Sequence, residues 1–373
     1  MTIKVWDYLE EYELERADIL SAVDRVFSSG VLVLGNSVKT FEAEFAAYCE
    51  TRFGVGVDNA TNGLFLAMKA LGIEPGDEVI TVSNTAVPTV SAIVQAGATP
   101  RFVDVFPENA LMDISKLEEI ITEKTKCVIP VHLYGQCVDM SALLEITNKH
   151  KLRVIEDCSQ SHGATHLGRK AGSMGDMGVF SFYPTKPLGG FGDGGFISTN
   201  SQELAERLRS LRFYGMKGVY YAEETGFNSR LDEVHAEILR FKLSKLDANN
   251  DRRRYLAARY DKLLAGTALG LPQISPRNTH VYYVYVVRHP KREDIIAELK
   301  KQDILLNISY PWPIHLMRGY AYLGGKEGDL PVTERLAKEI FSLPMYPTLT
   351  EDKQDQVCRA IGTLLNRYGS TTG

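Results

Sequence analysis

Apolar positions recur at helical spacing in the first fifty residues. Ile19, Val23, Val26 and Phe27 mark one helix, which Gly30 stops, and Phe41, Phe45 and Tyr48 mark a second. From Phe53 the pattern changes. Short apolar runs at 53–57, 78–82, 101–105, 127–131, 152–155 and 194–199 alternate with helix-like stretches such as Leu64/Ala67/Met68/Leu71 and Asp139–His150. Within this region Ser115-Lys116-Leu117-Glu118 reads as a capping box. Strands alternating with helices predict a largely parallel sheet covered on both faces. The stretch from Leu231 to about Leu264 reads as one long helix, free of Gly and Pro. Beyond it His280–Arg288 and Asp303–Ile308 read as strands, and Glu293–Lys301, Thr333–Glu339 and Glu351–Asn366 as helices. The expected fold class is α/β, with residues 1–240 forming a large domain and residues 241–373 a smaller C-terminal α+β domain.

Composition narrows the function classes. The 373 residues are 44% hydrophobic and 24% charged, the balance of an ordinary globular enzyme. A net charge of −5 and a pI of about 6.0 leave no basic footprint, so nucleic acid is not an expected partner. No apolar run approaches the roughly 18 residues a membrane span needs. Met1–Asp18 is acidic and lacks the apolar centre of a signal peptide. The five cysteines are scattered and form no CxxC pair, which favours reduced thiols in a cytoplasm over disulfides, and no metal is expected.

Three segments carry chemistry. Ligands of such sheets sit at the carboxyl ends of the strands. Glu156-Asp157-Cys158-Ser159-Gln160 follows one strand directly, and an acid there points into the crevice. A lone Asp would more often be a helix cap. Further on, Lys186 lies between Ser181-Phe182-Tyr183-Pro184 and the glycine-rich Gly189–Gly195, backbone suited to close approach. A lone lysine would usually be a solvated surface residue. Asn59-Ala60-Thr61-Asn62-Gly63 joins a strand to a helix and can seat a phosphate at the helix N-terminus, although Asn and Thr there are also ordinary caps. A lysine, a buried acid and an anion seat together suit pyridoxal 5'-phosphate (PLP), which needs a Schiff-base amine, a carboxylate at the pyridine nitrogen and donors for its phosphate. The glycine spacing does not match a dinucleotide-binding GxGxxG.

Thr61-Asn62-Gly63-Leu64, Pro75-Gly76-Asp77-Glu78, Val131-His132-Leu133-Tyr134-Gly135, Ser181–Lys186 and Gly226-Phe227-Asn228-Ser229-Arg230 resemble, in order along nearly the whole chain, the DegT/DnrJ/EryC1/StrS sugar aminotransferases. The resemblance implies fold type I of the PLP enzymes, acting as a homodimer with sites shared between subunits. It implies Lys186 as the Schiff-base lysine and proton shuttle, Asp157 at the pyridine nitrogen and Gln160 near the ring hydroxyl. Ala60, Thr61 and Ser181 are implied at the phosphate, with Asn228 reaching it from the partner subunit. Asn84 takes the place where many members carry a ring-stacking aromatic, and either contacts the cofactor or the sugar or serves as a turn residue. Tyr310-Pro311-Trp312-Pro313-Ile314-His315 is similar to the family's YPxPxH segment, which implies Tyr310 and His315, along with Tyr183, as substrate contacts.

Val5-Trp6-Asp7-Tyr8-Leu9 and Asn84–Thr89 resemble most the branch that aminates dTDP-linked 3-keto-6-deoxyhexoses, with glutamate as the usual donor. The alternatives are a 4-keto-sugar aminotransferase on a dTDP or UDP sugar and a non-catalytic regulator on the same fold. A PLP sugar dehydratase, in which the family lysine is replaced, is disfavoured by Lys186.

Overall fold

The computed structural model describes residues 2–218 and 220–369. Seven strands form the main sheet, in spatial order 53–57, 195–199, 177–181, 153–157, 125–128, 78–82 and 99–103. All neighbours pair in parallel except Gly195–Thr199, which runs against both of its partners. Side chains alternate between the faces of a strand, and both faces are buried here. Val154 and Phe180 enter the core that holds Phe41 and Phe45, whereas Ile155 and Val179 enter the core that holds Leu64 and Met68. The same alternation sends Glu156 and Asp157 to opposite sides of one strand.

The C-terminal part has its own core, built by Leu256, Tyr260, Tyr285, Leu299, Phe341 and Ile361 around the antiparallel pair Tyr285–Arg288 and Ile340–Leu343. Ile3 also packs there, through backbone bonds with Asp303 and Leu305. Among the described residues no helix is long and apolar enough to cross a membrane.

Several local expectations are corrected. The long helix is two, Glu233–Leu243 and Leu246–Leu263. The Ser244 hydroxyl bonds back to the Phe241 carbonyl and Lys245 N–H reaches only to Lys242, so the i→i−4 ladder breaks. The strand expected at 280–288 starts at Tyr285, because Tyr282 has φ 49° and gives its N–H to His280 Nδ1. At 303–308 only isolated bridges form, to Ile3 and Ser342. Ser115 caps no helix; Asp113 accepts its N–H at the start of a 3-10 turn. Met177–Ser181, which leads to Lys186, matches none of the six apolar runs because Gly178 and its polar flanks hide it.

Candidate active site

Asp157 ends the strand Arg153–Asp157 and is 4% exposed. Its Oδ2 accepts the Thr89 hydroxyl at 2.8 Å and its Oδ1 the Ser159 N–H at 3.1 Å. Thr89 is held in turn by Thr85, 3.2 Å away. On the other face, Glu156 is fully buried and accepts N–H groups from Gly172, Met174 and Gly175 and a bond from His132. His132 Nδ1 accepts the Val138 N–H, so its proton is on Nε2, toward Glu156. Burial alone would raise the Glu156 carboxyl, but His132 and the loop amides outweigh it and hold it below the usual carboxylate value. His132, Glu156 and Cys158 cluster closely enough to suggest a metal. Yet each Glu156 oxygen already has two donors, and burial keeps the Cys158 thiol protonated.

The strand Met177–Ser181 delivers the lysine loop. Phe182 is wedged between Phe41 and Phe45, at 5.3 and 5.4 Å between ring centres, so the flanking Ser181 and Tyr183 face the opposite way, into the cavity. Phe182 bonds to Gly194 and Gly190, and Lys186 N–H closes a turn on Tyr183. A Cβ on Gly189 would meet the Pro184 carbonyl oxygen at 2.3 Å, so only glycine lets this loop fold onto itself. Lys186 Nζ lies 4.4 Å from the centre of the Tyr283 ring. Nearby, burial pushes His162 down to about 3, and the Lys186 charge adds to the shift. That imidazole is neutral, which leaves Lys186 as the basic side chain of the cavity.

The helix Ala60–Ala70 starts at the same place. Asn59 caps it by accepting the Asn62 N–H at 2.8 Å. The N–H groups of Ala60 and Thr61 have no intrahelical carbonyl to bond, and both residues line the cavity. Gly195 backs this turn: a Cβ there would lie 2.5 Å from the Asn59 carbonyl carbon.

These elements enclose a cavity of about 290 Å³ lined by Ala60, Thr61, Asp157, Gln160, Ser181, Tyr183, Lys186 and Tyr310. Gln160 accepts the N–H of Tyr134, which stands at φ 61°, and donates to Tyr310 Oη at 3.0 Å. The structure adds Thr85, Thr89 and Tyr283 to the lining. Thr85 and Thr89, four apart at a helix start, could have been noticed in the sequence; nothing local marks Tyr283. Other positions fall elsewhere. Asn84 is buried but not in the cavity lining, because the alternation past the strand Glu78–Val82 turns Thr85 inward instead. His315 does not line this cavity either; it is 2% exposed, with Nδ1 on the Ser83 hydroxyl at 2.8 Å and Nε2 on Glu334 at 3.2 Å. Asn228 is exposed and outside the cavity of its own chain.

The donor set fits PLP. A helix N-terminus with Ser181 suits a phosphate, the unused acceptor capacity of buried Asp157 suits a protonated ring nitrogen, and Lys186 offers a primary amine.

Residues 13–362 match the DegT/DnrJ/EryC1/StrS aminotransferase family. The dTDP-3-amino-3,4,6-trideoxy-alpha-D-glucose transaminase of Micromonospora megalomicea subsp. nigra is 57% identical over 367 residues, 97% of this chain and 98% of that protein. A pleiotropic regulatory protein of Geobacillus stearothermophilus is 43% identical over 372 residues, 99% of this chain and 100% of that protein. Among solved structures, DesV of S. venezuelae, in complex with a ketimine intermediate, is similar with a TM-score of 0.96 at 42% identity, covering 98% of each chain.

Proposed function

Since the chain belongs to the DegT/DnrJ/EryC1/StrS aminotransferase family, we propose that it aminates the C3 keto group of a dTDP-linked 3-keto-6-deoxyhexose with L-glutamate as donor. It is a PLP-dependent aminotransferase of fold type I. The choice of sugar and nucleotide is carried by the 57%-identical relative, whose name specifies a 3-amino dTDP-sugar.

Bound PLP supplies an electrophilic carbon for the amino group and a ring that takes up negative charge. The chain supplies the rest. Lys186 Nζ holds the cofactor covalently and, once freed, moves a proton. Asp157 holds the proton on the ring nitrogen through a charge-assisted hydrogen bond. Ala60 and Thr61 amides and the Ser181 hydroxyl bind the phosphate, and Gln160 orients the ring hydroxyl. Tyr183, 53% exposed at the mouth, and Tyr310, deeper in, contact the sugar. Asn228, outside its own cavity, serves the phosphate of a partner subunit in a homodimer. All five cysteines are buried free thiols, which suits the reducing cytoplasm.

A panel of dTDP-, UDP- and GDP-linked 3-keto and 4-keto sugars, with glutamate and product NMR, tests the assignment. Amination only at C4, or only of UDP or GDP sugars, overturns it. The 43% identity to a regulatory protein favours a second reading, a non-catalytic regulator; a PLP-loaded protein that aminates no sugar would establish that one. The shared site is tested by mixing inactive Lys186→Ala and Asn228→Asp chains. Confirmed heterodimers carry one intact site and regain at most about half of wild-type activity; none is regained if Asn228 serves its own subunit.

A further inference from the structure

Lys186 alternates between a covalent bond to the cofactor and a free amine, and the free state needs a resting place. A four-carbon stem gives the ammonium wide reach. Asp157 and Asp193 line the same cavity, and an ion pair with Asp157 would occupy the acid that the cofactor ring requires. Among the described residues Lys186 forms no ion pair; its Nζ instead lies over the Tyr283 ring, 4.4 Å from the centre. The Tyr283 hydroxyl is 2.9 Å from the Thr185 hydroxyl, so the ring is fastened to the lysine's own loop. The Tyr283 carbonyl accepts a bond from buried Arg253 at 3.5 Å, and two residues earlier Val281 N–H bonds Gly135 O at 2.9 Å.

We propose that Tyr283 is a positioning residue for Lys186. Its ring seats the freed ammonium by a cation–π contact and keeps it off Asp157, while the Thr185 bond keeps ring and lysine in register. The ring attracts the cation without offering a proton acceptor. The proposal rests on Lys186 being the cofactor lysine, which borohydride trapping checks separately: cofactor fixed to another peptide sinks that reading, not this contact.

The full chain, freed of cofactor, is pulsed with acetic anhydride, and acetylation of Lys186 is quantified by mass spectrometry against exposed Lys338. Tyr283→Leu removes the ring and should raise Lys186 labelling about fivefold, whereas Tyr283→Phe, which keeps the ring and loses only the Thr185 tether, should raise it about twofold. In the holoenzyme, Tyr283→Leu should slow the glutamate half-reaction about tenfold while PLP binds no more weakly than to wild type, since the contact acts only on the free amine and so favours the cofactor-free chain. Unchanged labelling in Tyr283→Leu, or Phe behaving like Leu, overturns the proposal. Should the Leu variant not fold, Thr185→Val frees the tether and should raise labelling about twofold; no change there overturns it equally.

Discussion

The two faces of the strand Arg153–Asp157 treat adjacent carboxylates in opposite ways. At the back, Glu156 accepts four bonds, from His132 and the amides of Gly172, Met174 and Gly175. At the front, Asp157 accepts two, from Thr89 and Ser159, and faces a cavity. A carboxylate offers about four acceptor sites. The back is therefore saturated and the front has room for a ligand's donor. Both residues are buried, so burial does not separate the two acids; the count of donors does.

The sharpest way to break this comparison is to neutralise each acid in turn. Asp157→Asn should cut the half-reactions with glutamate and with sugar about 10²–10³-fold, because the protonated ring loses its counter-charge. The fold should survive, with a melting temperature within about 2 °C of wild type. Equal rates in stopped-flow traces of either half-reaction would place the ring acid elsewhere.

Glu156→Gln should do the reverse. Stability should fall by about 2–3 kcal/mol, since His132 and the loop amides lose a charged acceptor, while kcat of the folded fraction stays within about threefold. The pH dependence has a definite sign. The folded carboxyl titrates below its ordinary value of 4.5, so its contribution is complete above that value and disappears as pH falls through the folded one. Urea unfolding should show the gap between wild type and Glu156→Gln at pH 7 and a shrinking gap below about pH 4.5. A gap that widens in acid would refute the assignment.

The smallest effect belongs to Thr89, the clamp on Asp157. Thr89→Val keeps the shape and removes one bond to Asp157, so a loss of about three- to tenfold in kcat is expected, with PLP affinity nearly unchanged. If PLP affinity falls in step with kcat, Thr89 acts on binding and not on Asp157.

Legibility in the sequence followed the range of the interaction. Helix ends at Gly30, the runs that became strands, and the Asn59 cap all depend on neighbours within about four residues. The break at Ser244 was missed although local, because a serine hydroxyl turning back on Phe241 leaves the apolar spacing intact. Met177–Ser181 was missed because Gly178, which sits against Gly172 with no room for a side chain, interrupts its apolar pattern.

By itself the sequence determined the α/β class and the candidacy of Asp157 and the Ala60–Thr61 turn, which follow strands legible in their own segments, and of Lys186, marked by its glycine-rich flank, whereas Gln160 and Ser181 came from the family resemblance. Tertiary structure alone decided that Thr89 clamps Asp157, that Tyr283 meets Lys186, and that His315 is locked to Ser83 and Glu334 away from the cavity. Those contacts join residues from 19 to 232 positions apart, beyond the reach of any single element. Periodicity reports which way a side chain points from its own element; only the packed sheet determines what it meets there.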